Sequence, residues 1–264
     1  MKTNFFFILM LATALMGCSN TENNNLEENS YLRIGSCRTQ GEEITAITDF
    51  GMFVTTGDGS GYDDHSNNIH VIQQHGKWEI PSILMQPDKD GNLFAYYPYA
   101  ENATVTEIPV SLQTQTDYLF SKGQTVTYSA YTPDIELHHL LSKVTVEVNE
   151  QKVESISVQD YPSEGTLNLF GGNLTKSNNK ATLTSGKSEI LLFPGNNEGL
   201  SLDITYQGKH YAYQPIDTNF EAGKEYIHSL ILQEGNTLSL GQVTIKEWQV
   251  GGNYEGTIDT ENNI

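Results

Sequence analysis

The chain is poor in positive charge. Against 33 Asp and Glu it carries 14 Lys and Arg, a formal net charge of −19 over 264 residues. A phosphate backbone is gripped by many cationic side chains that release its counterions, so this balance argues against nucleic acid and against an anionic membrane surface. Arginine is scarcer still: Arg33 and Arg38 are the only two, and every later cation is a lysine. Two cysteines cannot build a disulfide framework. The one long apolar run, residues 5–16, would span about 18 Å as a helix against roughly 30 Å of bilayer hydrocarbon. Beyond it no amphipathic stretch of three helical turns occurs, although 134–142 could include a single turn. A Gly-rich phosphate loop, a zinc-ligand spacing and a nucleophile elbow are all missing, so neither an enzyme nor a cofactor is expected.

What is present begins with an export signal. Lys2, the short apolar run and a small residue at its end describe a secretory signal peptide over 1–17. Leu15-Met16-Gly17-Cys18 resembles the bacterial lipobox, whose cysteine is acylated and becomes the first mature residue. Cleavage there removes Lys2 and no acid, which takes the net charge from −19 to −20 and leaves the lipid on Cys18 to hold the membrane. Residues 18–37 then read as a lipidated polar tether, too rich in Asn and Glu to pack a core. Acidic residues soon after the lipidated cysteine resemble the surface-export signals of some Gram-negative lipoproteins, so an outward-facing position on the outer membrane is expected. Cys37 is the remaining thiol, open to pairing with another chain, to nucleophilic use, or to simple packing beside the first strand.

From residue 44 onward short apolar runs alternate with Gly, Asn, Asp and Pro, the pattern of consecutive strands. Strands are expected over 50–55, 69–73, 93–99, 126–128 and 141–148, then over 182–184, 189–193, 200–206, 211–213, 226–232 and 238–250. Val144, Val146 and Val148 alternate with polar residues, and a turn at 149–152 returns the chain through Val153, Ile156 and Val158, which reads as one hairpin in one sheet. Gln207-Gly208-Lys209 marks a second hairpin turn. The expected fold is all-β: two tandem antiparallel β-sandwich domains, over 38–165 and 166–264, with the boundary somewhere within 160–180.

Several groups could carry chemistry. The loop 57–68 holds Asp58, Asp63, Asp64 and His65 among glycines, suited to a cation, a sugar or plain solvation. Asp88-Lys89-Asp90-Gly91-Asn92 is similar to part of a calcium loop, but its glycine falls too early and the distal Glu is missing, so a turn is expected. His138 and His139 are adjacent, and on a strand they would face opposite sides, one packing and one meeting water. Trp78 and Trp248 could stack on a sugar or fill a core. Paired carboxylates for glycoside hydrolysis are too numerous to select. In 238–250 the apolar positions Val243 and Ile245 are odd while Trp248 and Val250 are even, which predicts a bulge or sheet crossing between Ile245 and Trp248.

An ordered set of motifs adds to this reading: Phe94-Ala95-Tyr96-Tyr97-Pro98-Tyr99, Asp117-Tyr118-Leu119-Phe120, His138 to Val146, Phe220-Glu221-Ala222-Gly223-Lys224-Glu225-Tyr226 and Val243-Thr244-Ile245-Lys246-Glu247-Trp248. Behind a lipobox, this set resembles the fimbrillin family, the type V pilins and related surface lipoproteins of anaerobic gut and oral bacteria. The resemblance implies transthyretin-like sandwiches, no metal and no enzyme, and a role in adhesion as a fimbrial subunit. Its implied partners are other fimbrial subunits, the outer membrane through lipid, and host or bacterial surface ligands. It also implies removal of the first strand by an Arg-specific protease, at Arg38 or Arg33, and filling of the groove by a donor strand from the next subunit; 238–250, with Val243, Ile245, Trp248 and Val250, is the nearest candidate. The alternative is a non-polymerising surface lipoprotein that binds a glycan or host protein.

Overall fold

The computed structural model describes residues 30–39, 42–43, 47–235 and 237–249. The described chain is all-β, and the expected strands appear at nearly all the expected places. Several strands were not foreseen, among them Lys77–Glu79, Ile108–Ser111, Glu164–Asn168 and Asn173–Lys176, and Asp134–His139, where a helical turn was allowed, is extended. Ile135 and Leu137 are buried while Glu136 is exposed, a period of two that puts one face on the core.

The first half builds a nine-stranded sheet. From one end it runs Glu42–Glu43, Ser36–Thr39, Asp134–His139, Leu119–Phe120, Gly91–Tyr97, Asp49–Thr55, Ile69–Gln74 and Lys77–Glu79, with Gln124–Val126 also paired to Gly91–Tyr97. The two ends of this sheet approach each other. The Leu32 amide donates to the Ile83 carbonyl and the Met85 amide to the Ser30 carbonyl, each at 2.9 Å, so the chain before the first strand bonds to the chain after Lys77–Glu79. Inside lies a core of Phe50, Met52, Val54, Leu93, Ala95, Ile135 and Leu137, among others.

The two central strands are buried on both faces, and their alternate residues serve different cores. Met52 and Val54 point into the first core, whereas Phe53, Phe94 and Tyr96 belong to the core of the second half. The register pairs Gly51 with Tyr96, and a side chain on Gly51 would run into the Tyr96 ring. Only glycine lets that ring lie across the strand, where it stacks on Phe53 with centroids 5.7 Å apart.

The second half packs a five-stranded sheet and a four-stranded sheet into one core. The former holds Gln151–Lys152, Ser142–Val148, Lys224–Gln233 and Thr237–Glu247 in that order, with Glu189–Leu192 also on Ser142–Val148. The latter holds Lys180–Ser185, Ser155–Pro162, Leu202–Tyr206 and Lys209–Tyr213. Asn149 and Glu150 both have positive φ and turn the chain tightly, yet the hairpin closes only on Gln151–Lys152. The reading of Ser155–Pro162 as the return strand in the same sheet is therefore corrected: it crosses to the four-stranded sheet. That crossing puts Ile156 and Val158 in one core with Val144, Val146 and Val148 while the strands lie in different sheets. Gln207 and Gly208, at φ of 51° and 70°, form the expected two-residue turn between Tyr206 and Lys209.

The nine-stranded sheet takes its last strand from Asp134–His139, and the five-stranded sheet begins with Ser142–Val148. The halves are also stitched together by a three-stranded sheet in which Ile108–Ser111 pairs with Glu164–Asn168, itself paired with Asn173–Lys176. Most ladders are antiparallel, but Ser36–Thr39 runs parallel to Asp134–His139 and Ser142–Val148 runs parallel to Lys224–Gln233.

Candidate assembly surface

The first strand is short and lightly held. Ser36–Thr39 makes a four-residue parallel ladder with Asp134–His139 and touches Glu42–Glu43 on its other side. Period-two alternation sends Cys37 and Thr39 inward and Arg38 outward, so Arg38 stands exposed in the strand itself and Arg33 is exposed just before it. Burial pushes the Cys37 thiol up to about 12, which makes it a packing group rather than a nucleophile. Cys37 pairs in register with Ile135, and Thr39 with Leu137. Both partners are fully buried behind it. Cys18 lies outside the described residues.

The last of the described strands, Thr237–Glu247, is an edge strand among them, paired along its whole length with Lys224–Gln233. The ladder is regular from Gln242 to Glu247, so no bulge falls between Ile245 and Trp248, where one was expected. The register shifts at Gly241, between the Gln242–Ser229 and Leu240–Leu230 pairs. That bulge keeps Leu238, Leu240, Val243 and Ile245 on one side, opposite the buried Leu230, His228 and Tyr226. The strand runs past the edge of the core there, leaving Val243 38% and Ile245 54% exposed. Val250 lies outside the described residues.

Trp248 ends this strand in the core. It is buried, its amide donates to the Gly223 carbonyl at 2.8 Å, and its ring stacks on His139 with centroids 4.0 Å apart and planes 8° from parallel. Lys143 Nζ sits 5.1 Å from the ring centroid. His139 Nδ1 meets the Asp117 carboxylate at 2.9 Å while its Nε2, also buried, has no partner. Burial raises the pKa of Asp117, against the lowering pull of His139 and Lys143. Beside them Glu225, buried, lies 3.2 Å from Lys143 and 3.3 Å from Lys246 and accepts from the Thr145 hydroxyl at 2.8 Å. Burial alone would lift its pKa; the Thr145 hydrogen bond and the two ammonium groups bring it below the ordinary value. These contacts pin the end of the last described strand to the strand that follows the first half.

The other candidates resolve into structure. His138 is half-buried and tilts on Phe120, so the two histidines do face opposite sides. The loop 57–68 is tied down: Asp58 accepts from Thr56 and Ser60, the Tyr62 hydroxyl donates to the Lys89 carbonyl, and Asn68 donates to the Ala100 and Glu101 carbonyls. Residues 86–89 form a turn closed by Lys89 donating to the Gln86 carbonyl. Among the described residues no three His, Cys, Asp or Glu side chains gather as a metal site. Of the two tryptophans, Trp248 is a core residue and Trp78 is half-buried at the sheet end.

This is the architecture of a β-sandwich protein. Residues 37–248 match the profile of the Fimbrillin-like family, and the chain belongs to that family. The fold recurs in solved structures of low sequence identity. A candidate cell adhesion protein from Bacteroides uniformis is 16% identical at a TM-score of 0.66, covering 84% of this chain and 100% of that one. Another from Bacteroides ovatus is 18% identical at a TM-score of 0.61, covering 84% and 99%. A fimbrial protein from Bacteroides vulgatus is 14% identical at a TM-score of 0.56, covering 83% and 99%. A comparison with curated protein sequences returns no match. Family membership points to a structural role at the cell surface alongside other fimbrial subunits.

Proposed function

We propose that the chain is a structural subunit of a bacterial surface fimbria, exported as an outer-membrane lipoprotein on Cys18 and joined to its neighbours by strand exchange. The observation that carries this reading is the first described strand: four residues long, covering the buried Ile135 and Leu137, and bearing the exposed Arg38 within it. Cleavage after Arg38 frees Ser36, Cys37 and Arg38 with everything before them and uncovers a row of backbone groups and apolar side chains, a surface that pairs readily with another strand. Cleavage at Arg33 would leave Ser36–Thr39 in place, so Arg38 is the effective site. On the donor side, Val243 and Ile245 already project from an edge strand, while Trp248 must leave its seat on His139 before the end of that strand can move.

The test is to treat the folded protein with an Arg-specific protease and follow mass, oligomer size and thiol labelling. Cleaved protein should form a ladder of oligomers, and the released fragment should carry a Cys37 thiol that labels rapidly. Arg38→Lys protein should stay monomeric and keep Cys37 protected. Clean cleavage at Arg38 that leaves a permanent monomer would sink the polymerising reading in favour of a solitary surface lipoprotein. For the anchor, Cys18→Ser removes the acylated thiol and leaves an acidic body with no other hold on a bilayer. It should lose labelled palmitate and leave the membrane fraction; continued fractionation with the outer membrane would mean another anchor.

A further inference from the structure

The two ends of the nine-stranded sheet meet through residues 30–32 and 83–85 and then part. Between the segment 31–37 and the strand Lys77–Glu79 they leave a cleft of about 790 Å³. That lies within the roughly 300–1,000 Å³ of small-molecule sites. Trp78 lines it, half-buried, so part of the indole is open to the cleft. Phe50 meets the indole nearly edge-on, with centroids 5.0 Å apart and planes at 65°, and fixes its orientation. Gln73 is the register partner of Trp78 and so stands beside it on the same face. Tyr31, 37% exposed, comes from the other wall together with Arg33, and Glu79 completes the lining. Among the described residues the side chains of Arg33, Gln73 and Glu79 have no hydrogen-bond or ion-pair partner, so a donor, an amide and an acceptor are uncommitted around two aromatic rings.

We propose that this cleft binds a hexopyranose unit of a glycan, its C–H face on Trp78 and its hydroxyls on Gln73, Glu79 and Arg33. A pyranose chair with equatorial hydroxyls is amphipathic in the required way. Its axial C–H bonds form a flat face whose partial positive charge suits the negative face of an aromatic ring, and its rim consists of groups that both donate and accept. A purely apolar ligand would bury the guanidinium and carboxylate unpaired, and the presence of both charges selects neither a simple anion nor a simple cation. The other tryptophan offers no such face, because Trp248 is buried and stacked on His139.

One wall of the cleft lies upstream of Arg38. Cutting there removes Tyr31 and Arg33, so sugar binding belongs to the uncleaved chain and is lost on processing. The site itself does not depend on strand exchange, and the two readings fail separately.

The test titrates the uncleaved protein with cellobiose, lactose and N-acetyllactosamine, followed by calorimetry and tryptophan emission. At least one should bind with millimolar affinity or better. Trp78→Ala should weaken that binding about tenfold, the scale of one good aromatic contact, while Trp78→Phe retains most of it. Cleavage after Arg38 should abolish it, and Trp78→Ala protein should still form oligomers after cleavage if the wild type does. If none of the three sugars binds, or if Trp78→Ala binds as well as wild type, the proposal is wrong. Should Trp78→Ala fail to fold, Gln73→Ala and Arg33→Ala, both at exposed positions, decide the matter: unchanged affinity in both overturns it.

Discussion

Trp248→Ala is expected to cost about 3 to 5 kcal/mol, the range for emptying a large aromatic site in a packed core. The ring is 7% exposed and stacked on the His139 imidazole. Its loss uncovers the buried His139 beside the half-buried Asp117 and withdraws the cover from Lys143, so water enters a place where charges are now paired at close range. The consequence should be local as well as global. Amides of Thr237–Glu247 should lose hydrogen-exchange protection more than those of Ser142–Val148, because an edge strand has a ladder on one side only. Urea unfolding followed by circular dichroism checks the first part; a midpoint close to that of the wild type would show that the last described strand is held by its ladder alone. Trp248→Phe should recover most of the loss.

The second large effect is a fall in stability with acid. His228 lies in the second core with its Nδ1 at 2.8 Å from the Tyr213 hydroxyl and its buried Nε2 without a partner. Burial lowers its pKa from 6.5 to about 4, with Asp217 pulling weakly the other way. The unfolded chain therefore binds a proton that the folded one refuses. Stability is complete above about pH 6.5, declines as the pH falls from there to about 4, and gains no further loss from this group below it. A shift of this size corresponds to about 3 kcal/mol. Glu225, whose folded pKa is depressed, adds to the loss only below the ordinary carboxylate range. Asp117, whose folded pKa is raised, opposes it, since it is more stable folded when protonated and loses that advantage as pH rises through its folded pKa. Urea midpoints measured from about pH 7 to pH 4 should fall, and His228→Gln should flatten that slope. An equal slope in the variant would assign the acid sensitivity to other groups.

A core position for Trp248 was among the readings of the sequence, whereas nothing in the local pattern singled out His228. Alternation over Val144, Val146 and Val148 identified a strand correctly, since period two depends only on one face being buried. The same alternation in Ile156 and Val158 could not say which sheet the strand would join, because core-facing positions look alike whether the neighbour lies beside the strand or across the core. The helical turn allowed at 134–142 lost to a strand because residues 36–39, nearly a hundred positions away, offered a ladder. A bulge was inferred between Ile245 and Trp248 from a change of parity, but the ladder is regular from Gln242 to Glu247 and the observed bulge lies upstream of both residues. Its place at Gly241 was not legible, since glycine carries no face to count and Val243 and Ile245 were assumed to be buried.

The sequence by itself determined the properties that depend on composition and near neighbours. These are the acidic charge that argues against nucleic acid, the lipobox at Cys18 as an expectation, the all-β character, the turn at Gln207 and Gly208, and the family through its ordered motifs. Tertiary structure alone decided what depends on residues far apart in the chain. It seated Trp248 on His139, gave Asp49–Thr55 and Gly91–Tyr97 a different core on each face, and placed Trp78 at an open seam between the sheet ends. The physical reason is that a strand's own sequence specifies which residues face inward, whereas its neighbours are chosen by the packing of the whole chain.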